Sequence, residues 1–133
     1  MKKIVIIPAY NEISNIRTTV QDILDHAPGF DYVIINDCSQ DGTMRFCTEQ
    51  GMNIINLPVN LGIGGAVQTG YLYAWRNGYD VAVQFDGDGQ HDASYLGEMA
   101  DFLQEQQADV VIGSRYIKKE GFQSSGIRQF GIR

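Results

Sequence analysis

Lys3-Ile4-Val5-Ile6-Ile7-Pro8-Ala9-Tyr10-Asn11-Glu12 is the stretch that decides the fold. Residues 4–7 are apolar without interruption, so a strand with one wet face does not fit. A β-branched run closed by proline reads as a strand buried on both faces, the kind found in parallel sheets covered by helices. The two lysines ahead of it give the start a signal-peptide look. Four apolar residues before Pro8 are too few for a signal core and far too few to cross a bilayer. Polar residues follow at once, so Tyr10, Asn11 and Glu12 belong to the carboxyl end of that strand.

Working outward, the same kind of run returns at residues 32–35, 53–57, 81–85 and 109–112. Helical stripes lie between. Ile13, Ile16, Val20, Ile23, Leu24 and Ala27 form one, stopped before Pro28-Gly29. Residues 41–50 form a second, stopped by Gly51. Ile63, Ala66, Val67, Gly70, Tyr71, Ala74 and Trp75 form a third, ending at Asn77-Gly78, and residues 95–103 a fourth. The order β-α-β-α-β-α-β-α-β predicts a doubly wound α/β fold with a mostly parallel, Rossmann-like sheet and right-handed crossovers. After Arg115 the periodicity is lost. The expected organisation is an α/β domain over 1–115 and a truncated, unfinished element over 116–133.

Composition narrows the function. Hydrophobic residues at 44% and charged residues at 20% describe a globular chain rather than a disordered one. The formal net charge of −6 excludes a nucleic-acid partner, which needs a basic footprint. An anionic nucleotide remains possible if a cation or a ring of backbone amides receives it. Cys38 and Cys47 are the two cysteines, neither a disulfide framework nor a metal-ligand pattern, as expected of a reduced cytoplasmic protein.

In an open α/β sheet, ligands bind beyond the carboxyl ends of the strands. The segments that follow the strands are 8–12, 36–43, 60–66, Asp86-Gly87-Asp88-Gly89-Gln90-His91-Asp92 and Gly113-Ser114-Arg115. In extended backbone, alternate residues point the same way, so Asp86, Asp88 and Gln90 can present three oxygens to one Mg²⁺ or Mn²⁺. A bare Asp-Gly repeat is more often a turn; its place at a strand end favours the metal. An EF-hand is excluded because the sixth loop position is His91 and the twelfth Gly97. Asp37 ends the second strand. Because Asp41 or Ser39 already suits the cap of the next helix, Asp37 is left free for a base or ribose. Tyr10 is a candidate stacking surface or simple packing, and Glu12 a ligand or a first-turn helix acid. The glycine-bearing turn at 60–66, with Gly64 in it, leads into a helix N-terminus suited to an anion. It is neither a dinucleotide fingerprint nor a P-loop, since Val67 takes the third glycine position and no Lys-Ser/Thr follows. Arg115 is the one well-placed cation, either a fork donor to a phosphate or an ordinary surface arginine after its strand; His91 is read as lying behind the site, and His26 as surface.

Taken together, these five segments resemble the family 2 glycosyltransferases, nearest the dolichol-phosphate-mannose-synthase-like and bacterial polyprenyl-phosphate sugar transferases. The resemblance runs over nearly the whole chain. It implies the GT-A fold, an inverting transfer from a nucleotide-diphosphate sugar, and a divalent metal. By the same resemblance, residues 1–115 are the nucleotide-sugar-binding domain and 116–133 the truncated start of the acceptor-side region. The family's further sheet strand would leave an exposed edge here, so self-association or a disordered stretch from about Tyr116 is expected. The resemblance also implies that Pro8, Tyr10, Glu12, Ile35 and Asp37 hold the nucleoside, with Gly64 and Gly87 beside the nucleotide. Asp86, Asp88 and Gln90 would hold metal and diphosphate, and Arg115 the phosphates, leaving Asp88 and Arg115 as the catalytic pair. The acceptor would be a polyprenyl phosphate or a growing glycan, met at the cytoplasmic face of the membrane. Three departures stand out. Asn36-Asp37-Cys38 replaces two aspartates and a glycine, Ile63 sits where lysine is common, and the family's continuation past the equivalent of Arg133 has no counterpart here. Asp92 is the one candidate base near the site, and its place before Ala93 suits a helix cap better. A non-catalytic nucleotide-binding domain and a sugar-nucleotide pyrophosphorylase are the rival readings; the latter calls for a Gly-rich, Arg-containing loop that residues 8–12 lack.

Overall fold

A computed structural model of the chain describes residues 1–86 and 92–107. The elements run β1 (Lys3–Ala9), α1 (Ile16–His26), β2 (Phe30–Asn36), α2 (Thr43–Glu49), β3 (Ile54–Asn56), α3 (Gly62–Arg76) and β4 (Val81–Gln84). A 3₁₀ turn, Ala93–Tyr95, then leads into α4 (Leu96–Glu105). The chain divides into two compact units, Met1–Ser94 and Tyr95–Arg133. The fifth strand expected at 109–112, the boundary expected after Arg115 and the edge expected beyond it lie outside the described residues.

The first unit is the α/β layer structure that the apolar runs predict. Its four strands are all parallel, in the order β3-β2-β1-β4. Alternation divides β1 between two faces. Ile4 and Ile6 join Val33 and Ile35 of β2 in a buried cluster with Ala66 and Ala74 of α3. Val5, Ile7 and Ile34 point the other way and are also fully buried, so both faces of the sheet are covered, with α1 packed against β2 and α2 against β3. In the second unit, α4 has Leu96 and Ala100 buried.

Element ends differ from the sequence reading for local reasons. The first helix starts at Ile16 rather than Ile13, because the Ile13 amide goes to the Asp41 carboxylate at 3.3 Å and Ile13 itself is exposed. Glu12 therefore precedes the helix and is no first-turn acid. Gly51 and Gly78 do stop their helices, at φ +68° and +74°, in the left-handed region open to glycine.

Helix α3 lies close against the sheet at Gly70. A Cβ built there would lie 2.2 Å from Ile6 Cγ2, a rigid β-branched neighbour in the middle of β1. Gly70→Ala should therefore destabilise the chain by about 1–3 kcal/mol, the usual cost of overpacking. The neighbouring Gly64→Ala, with nothing within 4 Å of its Cβ, should be neutral or stabilising. Urea denaturation of the two variants checks the pair.

Candidate functional site

The cleft begins where β1 loses a partner. Its pairing with β4 ends at Ile6–Gln84, while its pairing with β2 continues to Ala9–Asn36. The Ile6 carbonyl accepts from Phe85 on the β4 side, and the Ala9 carbonyl accepts from Asp37 on the β2 side. Alternation then places the missing N–H of Pro8 on the β4 side, where it cannot extend the ladder. The strands part, and an open cleft of about 210 Å³ lies at their carboxyl ends. Pro8, Ala9, Tyr10, Glu12, Asp37, Ile63, Ala66 and Asp86 line it. Five residues predicted for nucleotide binding thus meet at one place: Pro8, Tyr10, Glu12, Asp37 and Asp86.

The loops around this cleft are tied to one another. Asn11, at φ +54°, accepts from the amides of Gln40 (2.8 Å) and Asp41 (3.3 Å), and its own amide donates to the Ser39 hydroxyl at 3.0 Å. The Glu12 amide donates to Thr43 Oγ1 at 3.1 Å, and its carboxylate accepts from Asn15 Nδ2 at 3.2 Å. Asp41 accepts from the amide of Thr43 at 2.9 Å, from one residue ahead of Gly42, which takes the cap position of α2 expected for Asp41 or Ser39.

Asp37 differs from expectation. It is 4% exposed, and its carboxylate accepts from the amides of Leu61 (2.6 Å) and Gly62 (2.9 Å) at the entry to α3. It is not free. The protein's own carboxylate sits where the turn at 60–66 was expected to receive a ligand anion. The cause is electrostatic: unsatisfied amides and the positive end of the helix dipole attract the nearest negative charge. Asn60 Nδ2 adds a bond to the Asp37 carbonyl at 3.2 Å.

The two residues flanking Asp37 are the ones that depart from the family pattern in that segment. Asn36 is buried, and its Oδ1 accepts from the amide of Ser39 at 3.2 Å. That fixes the amide orientation, so Nδ2 donates to Asn56 Oδ1 at 2.8 Å, across from it in the β2–β3 register. An aspartate could not make the second bond. Cys38 stands at φ +60°, a left-handed conformation that favours glycine. It is half-buried and unpaired in a disulfide, as is the buried Cys47, whose thiol pKa is raised by burial.

Of the other predicted residues that the structure describes, Ile35 and Gly64 are not among those lining the cleft. Ile35 has no exposed surface and belongs to the core cluster with its side chain toward α3. Gly64 is exposed on the first turn of α3 and is not among the lining residues. Gly87, Asp88, Gln90, His91 and Arg115 lie outside the described residues. Asp92 accepts from the Ser94 amide (2.9 Å) and hydroxyl (2.7 Å), the capping role its position suggested. Ala9, Ile63 and Ala66 line the cleft without having been singled out as ligands. Ile63 is 63% exposed, an apolar side chain where the family pattern leads to a lysine. Among the described residues, no group of three or more His, Cys, Asp or Glu side chains is arranged to hold a metal ion.

An all-parallel α/β sheet with an acid-lined cleft at its carboxyl edge is the architecture of a nucleotide-binding domain. The chain belongs to glycosyl transferase family 2, whose pattern matches residues 4–130. It is 33% identical over 122 residues to the undecaprenyl-phosphate mannosyltransferase of Micrococcus luteus, a match covering 88% of this chain and 49% of that protein. Among solved structures, it resembles TarS 1–349 of S. aureus with a TM-score of 0.71 at 22% identity, covering 94% of this chain and 39% of that one. It also resembles the mannosyltransferase PcManGT of Pyrobaculum calidifontis, solved with GDP-Man and Mn²⁺, with a TM-score of 0.64 at 22% identity over 84% of this chain and 34% of that one. The fold is thus of the GT-A type. The chain spans about half the length of the curated relatives it matches. Family membership favours the transferase reading over the pyrophosphorylase.

Asp37→Ala should cost about 1–3 kcal/mol, the usual result of leaving polar groups without a partner. Cys38→Gly relieves the left-handed residue but loosens the unfolded chain, so it should be neutral to stabilising, whereas Cys38→Val should be destabilising by about 1 kcal/mol or more. Chemical denaturation midpoints of the three variants check both statements.

Proposed function

We propose that this chain is the donor-binding part of an inverting glycosyltransferase that moves a sugar from a nucleotide-diphosphate sugar to a polyprenyl phosphate. One observation carries the reading. Glu12, Asp37 and Asp86 line the cleft, and no Lys or Arg is among its described lining residues. A nucleoside diphosphate is itself strongly negative and needs a counter-charge to settle there. Oxygen-rich surroundings suit Mg²⁺ or Mn²⁺, which keep coordination positions open for phosphate oxygens. Asp86 fits this demand as an acid on the cleft wall immediately beyond β4.

In this reading Asp86, Asp88 and Gln90 hold the ion, Gly87 gives the diphosphate close access to the backbone, and Arg115 donates to the phosphates. The bound ion supplies Lewis-acid stabilisation of charge on the departing nucleoside diphosphate. Tyr10 offers its exposed ring to the nucleoside, with Pro8, Glu12 and Asp37 around it, and Gly64 lies beside the nucleotide. Ile35, with its side chain in the core, has only its main chain to offer. Asp88 and Arg115 are the catalytic pair, acting on the leaving group.

A phosphate acceptor is already an anionic nucleophile, whereas a hydroxyl acceptor needs a base within hydrogen-bond reach. Asp92, the base candidate in the sequence, is engaged with Ser94, which supports the phosphate. The Micrococcus luteus relative, an undecaprenyl-phosphate mannosyltransferase, supports the same acceptor class. We assign donor binding to the residues of this chain and the acceptor contacts to the part of those relatives that the match does not span. Work at the cytoplasmic face of a membrane and pairing through the sheet edge beyond β4 belong to the same reading. Among the described residues, no helix is long and apolar enough to cross a membrane.

Calorimetry with UDP, GDP and dTDP in Mn²⁺ and in EDTA tests the reading. Affinity should fall by about tenfold or more, roughly 1.4 kcal/mol, when the metal is removed. Asp88→Ala should abolish the metal-dependent part and spare the free nucleoside, while Asp92→Ala changes it much less. Asp37→Ala should weaken nucleoside and nucleotide alike. Equal nucleotide affinity with and without metal would sink the shared-cation reading.

A further inference from the structure

Asp22 lies on α1 and takes no part in the cleft, yet its carboxylate joins two distant parts of the first unit. Oδ1 pairs with His26 Nδ1 at 2.7 Å, one helical turn on. Oδ2 accepts from the backbone amide of Ala93 at 3.0 Å, across 71 residues of sequence. Ala93 has no exposed surface, so an amide there requires a protein partner. The next amide, that of Ser94, goes to Asp92 at 2.9 Å. Two carboxylates therefore receive the successive amides that open the 3₁₀ turn, and the one from Asp22 is the long-range tie. At the other end of the acidic segment, the Phe85 amide donates to the Ile6 carbonyl at 2.9 Å. The chain is thus fastened to β1 just before Asp86 and to α1 just after Asp92.

We infer that Asp22 is a positioning residue for the metal-dependent step of donor binding. It rests on the metal reading given above. Holding the Ala93 amide fixes where the chain rejoins the fold after the segment that carries the proposed ligands. Metal affinity depends on oxygens held near their coordination geometry, and residues that orient ligands from behind are worth about 10–100-fold when removed. Asp22 makes its contribution through a single acceptor oxygen; His26 keeps the other oxygen engaged and helps hold the carboxylate in that orientation. The negative charge of Asp22 is not what the site requires.

The test compares Asp22→Ala, Asp22→Ser, Asp22→Asn and His26→Ala with the unmodified chain. For each, the Mn²⁺-dependent part of UDP or GDP affinity and the affinity for uridine or guanosine are measured by calorimetry, with folding followed by circular dichroism. Asp22→Ala should weaken the Mn²⁺-dependent part by about tenfold and leave nucleoside affinity unchanged. Asp22→Ser, too short to reach Ala93, should do the same and serves if the alanine variant fails to fold. Asp22→Asn keeps an acceptor for the amide and should stay within about twofold, as should His26→Ala. Folded Ala and Ser variants with full Mn²⁺ dependence overturn the inference. So does an equal loss for nucleoside and nucleotide, which marks a merely structural role. An unmodified chain whose nucleotide affinity ignores Mn²⁺ overturns the metal reading first, and this inference with it.

Discussion

The bond from Asp37 to the first amides of α3 is the interaction on which the carboxyl edge of this sheet depends. A buried carboxylate is costly unless it is well hydrogen-bonded, and a helix N-terminus offers the donors and the positive potential it needs. The Leu61 and Gly62 amides supply both. The Asp37 backbone is engaged as well, donating to Ala9 and accepting from Asn60. Through one residue, the end of β1, the end of β2 and the start of α3 are held together. The cleft walls from Pro8 to Ala66 are therefore set before any ligand arrives, the condition under which binding costs least ordering.

That bond also sets the electrostatics. A helix N-terminus at the edge of an α/β sheet is a ready anion site, but here an internal anion takes its foremost amides. With Ile63 in place of a cation on the same turn, α3 offers a diphosphate little attraction. In the proposed reading, the burden of neutralising a phosphate passes to the β4 side, where Asp86 stands. The cleft thus has one side built from fixed, uncharged or internally satisfied groups and, beyond β4, a side that carries the carboxylate of Asp86.

Much of this was legible in the sequence, because the apolar runs and stripes carry their own periodicity. β1, β2 and α3 follow from patterns within about fifteen residues, and the cleft residues follow from asking what lies just beyond each strand. What was not legible is non-local. Nothing near Asp37 reveals that the amides of residues 24 and 25 positions later will claim its carboxylate. The same holds for Asp22 and Ala93, and for Gly70, whose need to be glycine comes from Ile6 on another element. Ile35 shows the converse. Family resemblance put it with the ligand residues, while strand alternation turns its side chain toward Ala66 and the core. A residue can belong to a binding segment and still have its side chain on the far side of the sheet.

The departures at Asn36 and Cys38 bear on the same edge in opposite ways. Asn36 gains a donor that an aspartate lacks, and uses it to bind Asn56 while its oxygen holds the turn at Ser39. This strengthens the β2–β3 pairing just before Asp37. Cys38 gives up the freedom of glycine at φ +60°, a conformation costing about 1 kcal/mol or more for a residue with a Cβ. A strained residue persists only where its surroundings over-determine it, and here both neighbours do. Asn36 and Ser39 close the turn from one side, and Asp37 is clamped to α3 on the other. The strain at Cys38 is thus supported by the same tie that fixes the cleft. Loosening Asp37 releases both together, so the cleft wall and the β2–α2 turn are expected to lose order as one unit rather than separately.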